Sequence, residues 1–307
     1  MMEHIEQTAQ AIVQHHGAAL GLADWSSRPA PSEGEPSALE AAVRLACARM
    51  GFDGVDAQVI ARAWQRQSER LGRFDPSAWP SEPQDFGLKP WPRTDAFAPC
   101  PQALGLYAVL PDAAWIARMA QAGVPTVQLR FKSGDAAHVR REVQTAVAAV
   151  QGTGTLLFIN DHWQEAIDAG AYGVHLGQED LQALKPAELE ALRSAGVRLG
   201  LSTHGYAEML NADRYGPSYI AMGAVYATTL KRMPTAPQGT GRLQRYAQLM
   251  AHYPLVAIGG IDEQRLGAVM ATGVGSVAVV RAIVQAADPE ATAAAWTRRI
   301  SELCTVR

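Results

Sequence analysis

The chain has 307 residues, 48% of them hydrophobic and 19% charged, which is enough apolar material to bury a sizeable core. Its net charge of −3 sets up no global field for nucleic acid or an anionic membrane, so any anion site must be local. Cys47, Cys100 and Cys304 lie far apart without CxxC spacing, which speaks against a zinc site or a disulfide framework, and no apolar run nears the ~18 residues of a membrane span.

Met1 to Gln10 carries acidic residues and no apolar h-region, so a cytoplasmic protein is expected. Residues 1–100 read as a helical, Pro/Trp-rich extension, interrupted at Ser26–Pro36 and again at Asp75–Pro101. The second interruption holds Trp79, Phe86, Trp91 and Phe97 among its prolines. Aromatics at that density cost free energy in water, so the segment is expected to strap against a folded surface rather than to serve as a solvated linker.

From residue 101 to 307 short apolar runs alternate with amphipathic ones. The runs are Gly105–Leu110, Thr126–Arg130, Leu156–Asn160, Gly173–Leu176, Arg198–Leu201, Tyr219–Met222, Leu255–Ile258 and Ser276–Val280. Helical patterns such as Ala113–Ala122, Ala136–Val150, Glu263–Thr272 and Pro289–Leu303 separate them. Eight nearly continuous apolar strands in about 200 residues suit an α/β fold, a (β/α)8 TIM barrel at the small end of its range. A doubly wound open sheet would show a Gly-rich turn after its first strand, whereas Leu110 is followed by Pro111-Asp112-Ala113.

The C-terminal ends of barrel strands carry the reacting groups. The second ends Gln128-Leu129-Arg130-Phe131-Lys132, with Gln128, Arg130 and Lys132 on one face by alternation, a candidate anion site. The third and fourth bring Asp161 and Asp180 beside it, hard oxygen ligands suited to Mg2+, although either could instead cap a helix. His175 reads as a satisfied interior residue and His162 as a helix start, and neither is assigned as a ligand. Ser202 and Thr203 supply hydroxyls, the sixth strand runs toward Thr228-Thr229-Leu230-Lys231, and Met233–Gly241 reads as a lid candidate. Gly259-Gly260 after the seventh strand and Val280-Arg281 after the eighth suit a backbone phosphate cradle.

Taken together, Gln128-Leu129-Arg130-x-Lys132, Asn160-Asp161, Gly173 to Asp180, Ser202, Thr228…Lys231 and Ala257-Ile258-Gly259-Gly260-Ile261 resemble the motif set of the thiamine-phosphate synthase family, over roughly Leu104 to Ile300. The resemblance implies that Gln128, Arg130, Lys132 and Asn160 hold the diphosphate of a pyrimidine substrate, with Mg2+ on Asp161 and Asp180. Ser202 and Lys231 would contact the same substrate, and Lys132, Ser202 and Lys231 would be the catalytic groups. Thr228, Thr229, Gly259, Gly260, Val280 and Arg281 would hold a thiazole phosphate. It further implies that diphosphate leaves first and that the thiazole nitrogen captures the resulting carbocation.

Leu230 replaces a family Thr, Ala224 and Ala227 replace prolines and should loosen that turn, and Arg281 replaces a Ser. Ser37–Arg70 weakly resembles the C-terminal helices of hydroxymethylpyrimidine-phosphate kinase, which occurs fused to this synthase. The nucleotide-binding bulk of a kinase is missing, so no kinase activity is expected, and packing or homo-oligomerisation is left as a role for the extension. Two alternatives stay open: a thiazole tautomerase/regulator paralogue and a non-catalytic thiazole or thiamine phosphate-binding protein.

Overall fold

The structure is a computed structural model that describes residues 1–22, 35–228 and 235–305. Four helices come first: α1 (Met2–Leu20), α2 (Ala38–Arg49), α3 (Gly54–Leu71) and the single turn α4 (Pro83–Phe86). Ser37 caps α2 and Asp53 caps α3, each accepting from the backbone N–H three residues on, as short polar side chains do at helix starts. The barrel follows. Its strands are β1 (Gly105–Leu110), β2 (Thr126–Leu129), β3 (Leu156–Asn160), β4 (Gly173–Leu176), β5 (Arg198–Thr203), β6 (Tyr219–Met222), β7 (Leu255–Ile258) and β8 (Ser276–Val279). They pair in parallel and in chain order, and β8 closes onto β1.

The helices between strands are α5 (Ala113–Gln121), α6 (Ala136–Val150), α7 (Trp163–Ala169), α8 (Gln178–Ala183) with α9 (Pro186–Ser194), α10 (Tyr206–Tyr215), α11 (Gly239–Leu249), α12 (Glu263–Met270) and, after β8, α13 (Arg281–Val284) with α14 (Pro289–Thr305). The expected (β/α)8 barrel with an N-terminal helical extension is therefore present. Element ends shift by one or two residues: β2 stops at Leu129 and β8 at Val279, one residue earlier than the pattern suggested, β5 runs to Thr203 because Thr203 still pairs with Met222 on β6, and α5 and α12 stop at Gln121 and Met270 while α14 runs on to Thr305.

Two separate cores result from the period-2 alternation of the strands. Inside the barrel, Tyr107, Val109, Phe158, Tyr219, Ala221, Val256 and Ala278 pack on one another. Two glycines make room for the large rings. A Cβ on Gly173 would lie 2.4 Å from Phe158, and one on Gly200 would lie 2.1 Å from Tyr219. Outside the barrel, the strand faces and helices share one continuous apolar cluster with the extension, including Ile12, Val43, Phe52, Ile60, Trp64, Trp79 and Phe86. Each fully buried side chain of that size contributes on the order of 2 kcal/mol.

The proline-rich segment does strap the surface: Trp79, Phe86 and Phe97 are buried, and only Trp91 is exposed. Its landing site is α10. Phe86 stacks on Tyr206 at 5.2 Å, the Trp79 indole donates to the Tyr206 hydroxyl at 3.0 Å, and the Phe97 N–H donates to Gly216 O at 2.8 Å.

The seam also buries charge. Asp56 accepts from the Ala207 N–H at 2.8 Å, at the start of α10. Burial outweighs its backbone hydrogen bonds and pushes its carboxyl up to about 7. Arg242 on α11 donates to Leu20 O at 2.9 Å and Met50 O at 2.8 Å, with its guanidinium 3.5 Å over the Phe52 ring. Asp213 at the far end of α10 accepts from the Lys89 N–H at 3.1 Å and the Tyr253 hydroxyl at 2.8 Å.

Candidate active site at the barrel mouth

The ends of β2 to β5 bring together most of the residues expected to hold a diphosphate. Gln128 is buried in the lumen, where its Nε2 donates to Asn160 Oδ1 at 2.9 Å and its Oε1 accepts from the Tyr107 hydroxyl at 2.9 Å. Beyond the end of β2 the chain leaves the sheet, so Arg130 is half-buried and Lys132 exposed. Arg130 lies close enough to Asp161 to favour its ionised form.

Asp161 sits in the left-handed region at φ 65°, a costly conformation for a residue with a side chain and one that gathers at functional sites. The turn is tied by the Asp161 N–H to His175 O at 3.1 Å and by the Trp163 N–H to Asp161 O at 2.8 Å. The cap position of α7 falls on His162, whose Nε2 bonds Phe131 O at 3.1 Å, and that helix has no side-chain cap. Asp161 therefore does not serve as the helix cap. Burial first, and then Asp180 facing it within hydrogen-bonding reach, push its carboxyl above the usual range.

Asp180 is exposed in the first turn of α8. Two carboxylates held together beside a half-buried arginine form a donor set that fits Mg2+, which takes one or two carboxylates and completes its shell with substrate oxygens and water. Among the described residues no group of three or more His, Cys, Asp or Glu converges as a metal site.

His175 is an interior residue, as read from the sequence, but it reaches the site. Its Nδ1 lies 2.7 Å from the Tyr219 hydroxyl and its Nε2 2.8 Å from Ser202 Oγ. Ser202 is further fixed by Gln178 Nε2, which donates to the Ser202 carbonyl at 2.7 Å. Tyr107 and Tyr219 were not singled out from the sequence. Their common inward face follows from strand alternation, but their contact does not, because β1 and β6 lie across the barrel from one another.

On the opposite side, Gly259 and Gly260 have φ of 104° and 63°, values that glycine adopts without strain. They also let backbones approach: a Cβ on Gly260 would lie 2.5 Å from Ala227 O, and one on Gly259 would lie 2.6 Å from the Ala224 Cβ. The turn that lacks its two prolines is held by the Val225 N–H to Ile258 O and the Tyr226 N–H to Gly259 O, each at 3.0 Å, and by the Gln238 N–H to Ala224 O at 2.9 Å. Thr228 is half-buried at the end of this turn; Thr229, Leu230, Lys231 and the first two residues of the lid candidate, Met233 and Pro234, lie outside the described residues, while its last three, Gly239 to Gly241, open α11. Val280 caps α13 without a side-chain bond, and Arg281 opens it, half-buried.

Comparison with known proteins agrees with this geometry. Residues 106–283 match the family model described as thiamine monophosphate synthase. Thiamine-phosphate synthase of Neisseria meningitidis serogroup A is 54% identical over 200 residues, covering 65% of this chain and 96% of that protein. The Escherichia coli O1:K1 / APEC enzyme of the same name is 53% identical over 192 residues, 62% of this chain and 90% of that one. The solved thiamine phosphate pyrophosphorylase from Pyrococcus furiosus superposes with a TM-score of 0.58 at 25% identity, over 65% of this chain and 96% of that one. With more than half of its length matched by the family model and a closed barrel beneath the match, the chain belongs to the thiamine-phosphate synthase family, whose members are transferases.

Proposed function

We propose that the protein joins 4-amino-2-methyl-5-hydroxymethylpyrimidine diphosphate to hydroxyethylthiazole phosphate, giving thiamine monophosphate and diphosphate by a dissociative route. The observation that carries this reading is the Asp161–Asp180 pair beside Arg130 and the buried Asn160, at the ends of three neighbouring strands. Arg130, Lys132 and the Asn160 amide supply positive charge and donors where a diphosphate would sit. Asp161 and Asp180 would hold Mg2+, which when bound neutralises charge that builds on the leaving group.

In the first step the methylene C–O bond breaks and its electron pair departs with the diphosphate. In the second the thiazole nitrogen lone pair forms the new C–N bond. Neither step needs a covalent nucleophile, so the chain's work is to orient both substrates and to stabilise a departing anion. Gly259, Gly260 and the Val280–Arg281 amides form the neutral end, suited to the thiazole phosphate. Thr228 would join the same end.

Incubating the protein with both substrates and Mg2+ tests the reading. Stoichiometric release of diphosphate with formation of thiamine monophosphate is expected. Binding of the thiazole phosphate without any diphosphate release would overturn the reading in favour of a binding protein.

A further inference from the structure

Six side chains form one hydrogen-bonded line through the barrel lumen: Asn160, Gln128, Tyr107, Tyr219, His175 and Ser202. It begins at the diphosphate side of the mouth and ends at the residue assigned to the pyrimidine. The first five are buried, with exposures of 7%, 4%, 1%, 0% and 7%, so each proton must find an acceptor inside the line. We propose that this line couples the two parts of the pyrimidine substrate: an anion held by Asn160 sets the tautomer of His175, which makes Ser202 a hydrogen-bond acceptor that selects an amino-bearing ring. The inference rests on the synthase reading for the identity of the two substrate parts.

The direction follows from counting protons. An anion only accepts, so an Asn160 that binds one must turn Nδ2 outward and Oδ1 inward. Oδ1 then accepts from Gln128 Nε2 at 2.9 Å, which turns Gln128 Oε1 toward Tyr107, whose hydroxyl donates to it at 2.9 Å. The single proton of Tyr107 is thereby engaged. At its 2.6 Å contact with Tyr219, the Tyr219 hydroxyl must donate.

Tyr219 in turn has no proton left for His175, so Nδ1, 2.7 Å away, must carry one and donate it. A neutral imidazole has one N–H, which leaves Nε2 bare to accept from Ser202 Oγ at 2.8 Å. Ser202 then offers only lone pairs to the mouth.

Reversing the whole line would turn Asn160 Oδ1 toward the diphosphate oxygens, setting acceptor against acceptor. Gly200 preserves the arrangement, since any side chain there would strike the Tyr219 ring. The consequence is selectivity. The exocyclic amino group of the pyrimidine donates to Ser202, whereas a 4-oxo analogue would present a lone pair to a lone pair, a mismatch that polar sites reject strongly. His175, Tyr107 and Tyr219 are positioning residues in this scheme.

The direct test is a long-range proton–nitrogen spectrum of the full chain labelled with 15N-histidine, in the presence of Mg2+ and inorganic pyrophosphate. His175 is identified as the imidazole whose shifts move in Tyr219→Phe. Protonation at Nδ1 with a bare Nε2 is expected, and protonation at Nε2 would overturn the proposal. In kinetics, Tyr219→Phe and Tyr107→Phe should each narrow the kcat/KM preference for the amino substrate over the 4-oxo analogue by roughly tenfold. An unchanged preference in folded variants would also overturn it. The spectrum requires no turnover, so a wild-type protein that releases no diphosphate would count against the synthase reading while the tautomer still decides this one.

Discussion

The seam between extension and barrel and the mouth of the barrel each hold a carboxylate raised by burial, Asp56 fully buried and Asp161 half-buried, and they treat it differently. At the seam, Asp56 is matched within the protein: it accepts from the backbone at the start of α10, and the positive charge of Arg242 lowers its carboxyl, though less than burial raises it. At the mouth, Asp161 is held in a left-handed turn facing a second carboxylate, and that neighbour raises its carboxyl further. The seam therefore answers Asp56 with partners of its own, and the mouth sets two carboxylates against each other. Both carboxyls are raised by burial first and by a second acid next, Asp53 for Asp56 and Asp180 for Asp161; what separates them is that Asp56 is answered by backbone N–H groups, whereas Asp161 has the other acid within hydrogen-bonding reach.

The largest expected effect lies at the mouth. Asp161→Asn, which tolerates the left-handed turn, should lower Mg2+-dependent turnover by roughly 100-fold or more while leaving the unfolding midpoint equal or higher, because a repulsion disappears. Equal turnover would remove Asp161 from the metal site. Burial and Asp180 raise the Asp161 carboxyl, so a Mg2+ bound there would compete with a proton, and Mg2+ affinity is expected to strengthen as pH rises, which a titration at several pH values would show.

At the seam, Arg242→Ala removes two bonds to buried carbonyls and a cation stacked on Phe52, and it should cost about 3 kcal/mol in urea unfolding. A loss under about 1 kcal/mol would mean that the seam contributes little to holding the extension.

Asp56 offers a pH test. Its carboxyl titrates near 7 when folded and near ~4 when unfolded, so the folded protein holds the extra proton between those values. Its contribution is most favourable at low pH and falls as pH rises, levelling off above 7, with a span of at most about 4 kcal/mol. Asp56→Asn should flatten that slope while keeping an acceptor for Ala207.

The smallest effect concerns fit. Gly205→Ala would place a Cβ 2.2 Å from Asp56 Oδ2, at an ordinary extended φ of 178°. It should cost about 1–3 kcal/mol by overpacking. Combined with Asp56→Ala, the cost should be less than the sum of the two. Strict additivity would show that the two sites do not touch.

Much of the fold was legible because it is written locally. Apolar runs such as Leu156–Asn160 and Tyr219–Met222 match the strands to the residue, and the helices read from Ala113 and Glu263 begin there, capped by Asp112 and Asp262. The strand ends also located Asn160, Asp161 and Ser202, since a parallel barrel puts all such ends on one face. Arg130 and Lys132 were less legible, because alternation applies only while the chain stays in the sheet, and β2 stops before them. Tyr107 and Tyr219 were invisible as a pair, being 112 positions apart and joined only across the lumen.

The sequence by itself determined the eight-strand rhythm, the placement of acids and cations at successive strand ends, and the aromatic strap that had to find a surface. Each depends on the nearest few neighbours in the chain, through periodicity, capping and the cost of exposed rings. Only the tertiary structure decided where the strap lands, which carboxylate faces another, and how six polar side chains join into one line. Those outcomes depend on distances between residues remote in sequence, such as Asp56 and Ala207 at a separation of 151, where burial strengthens every contact and makes every unmatched one costly.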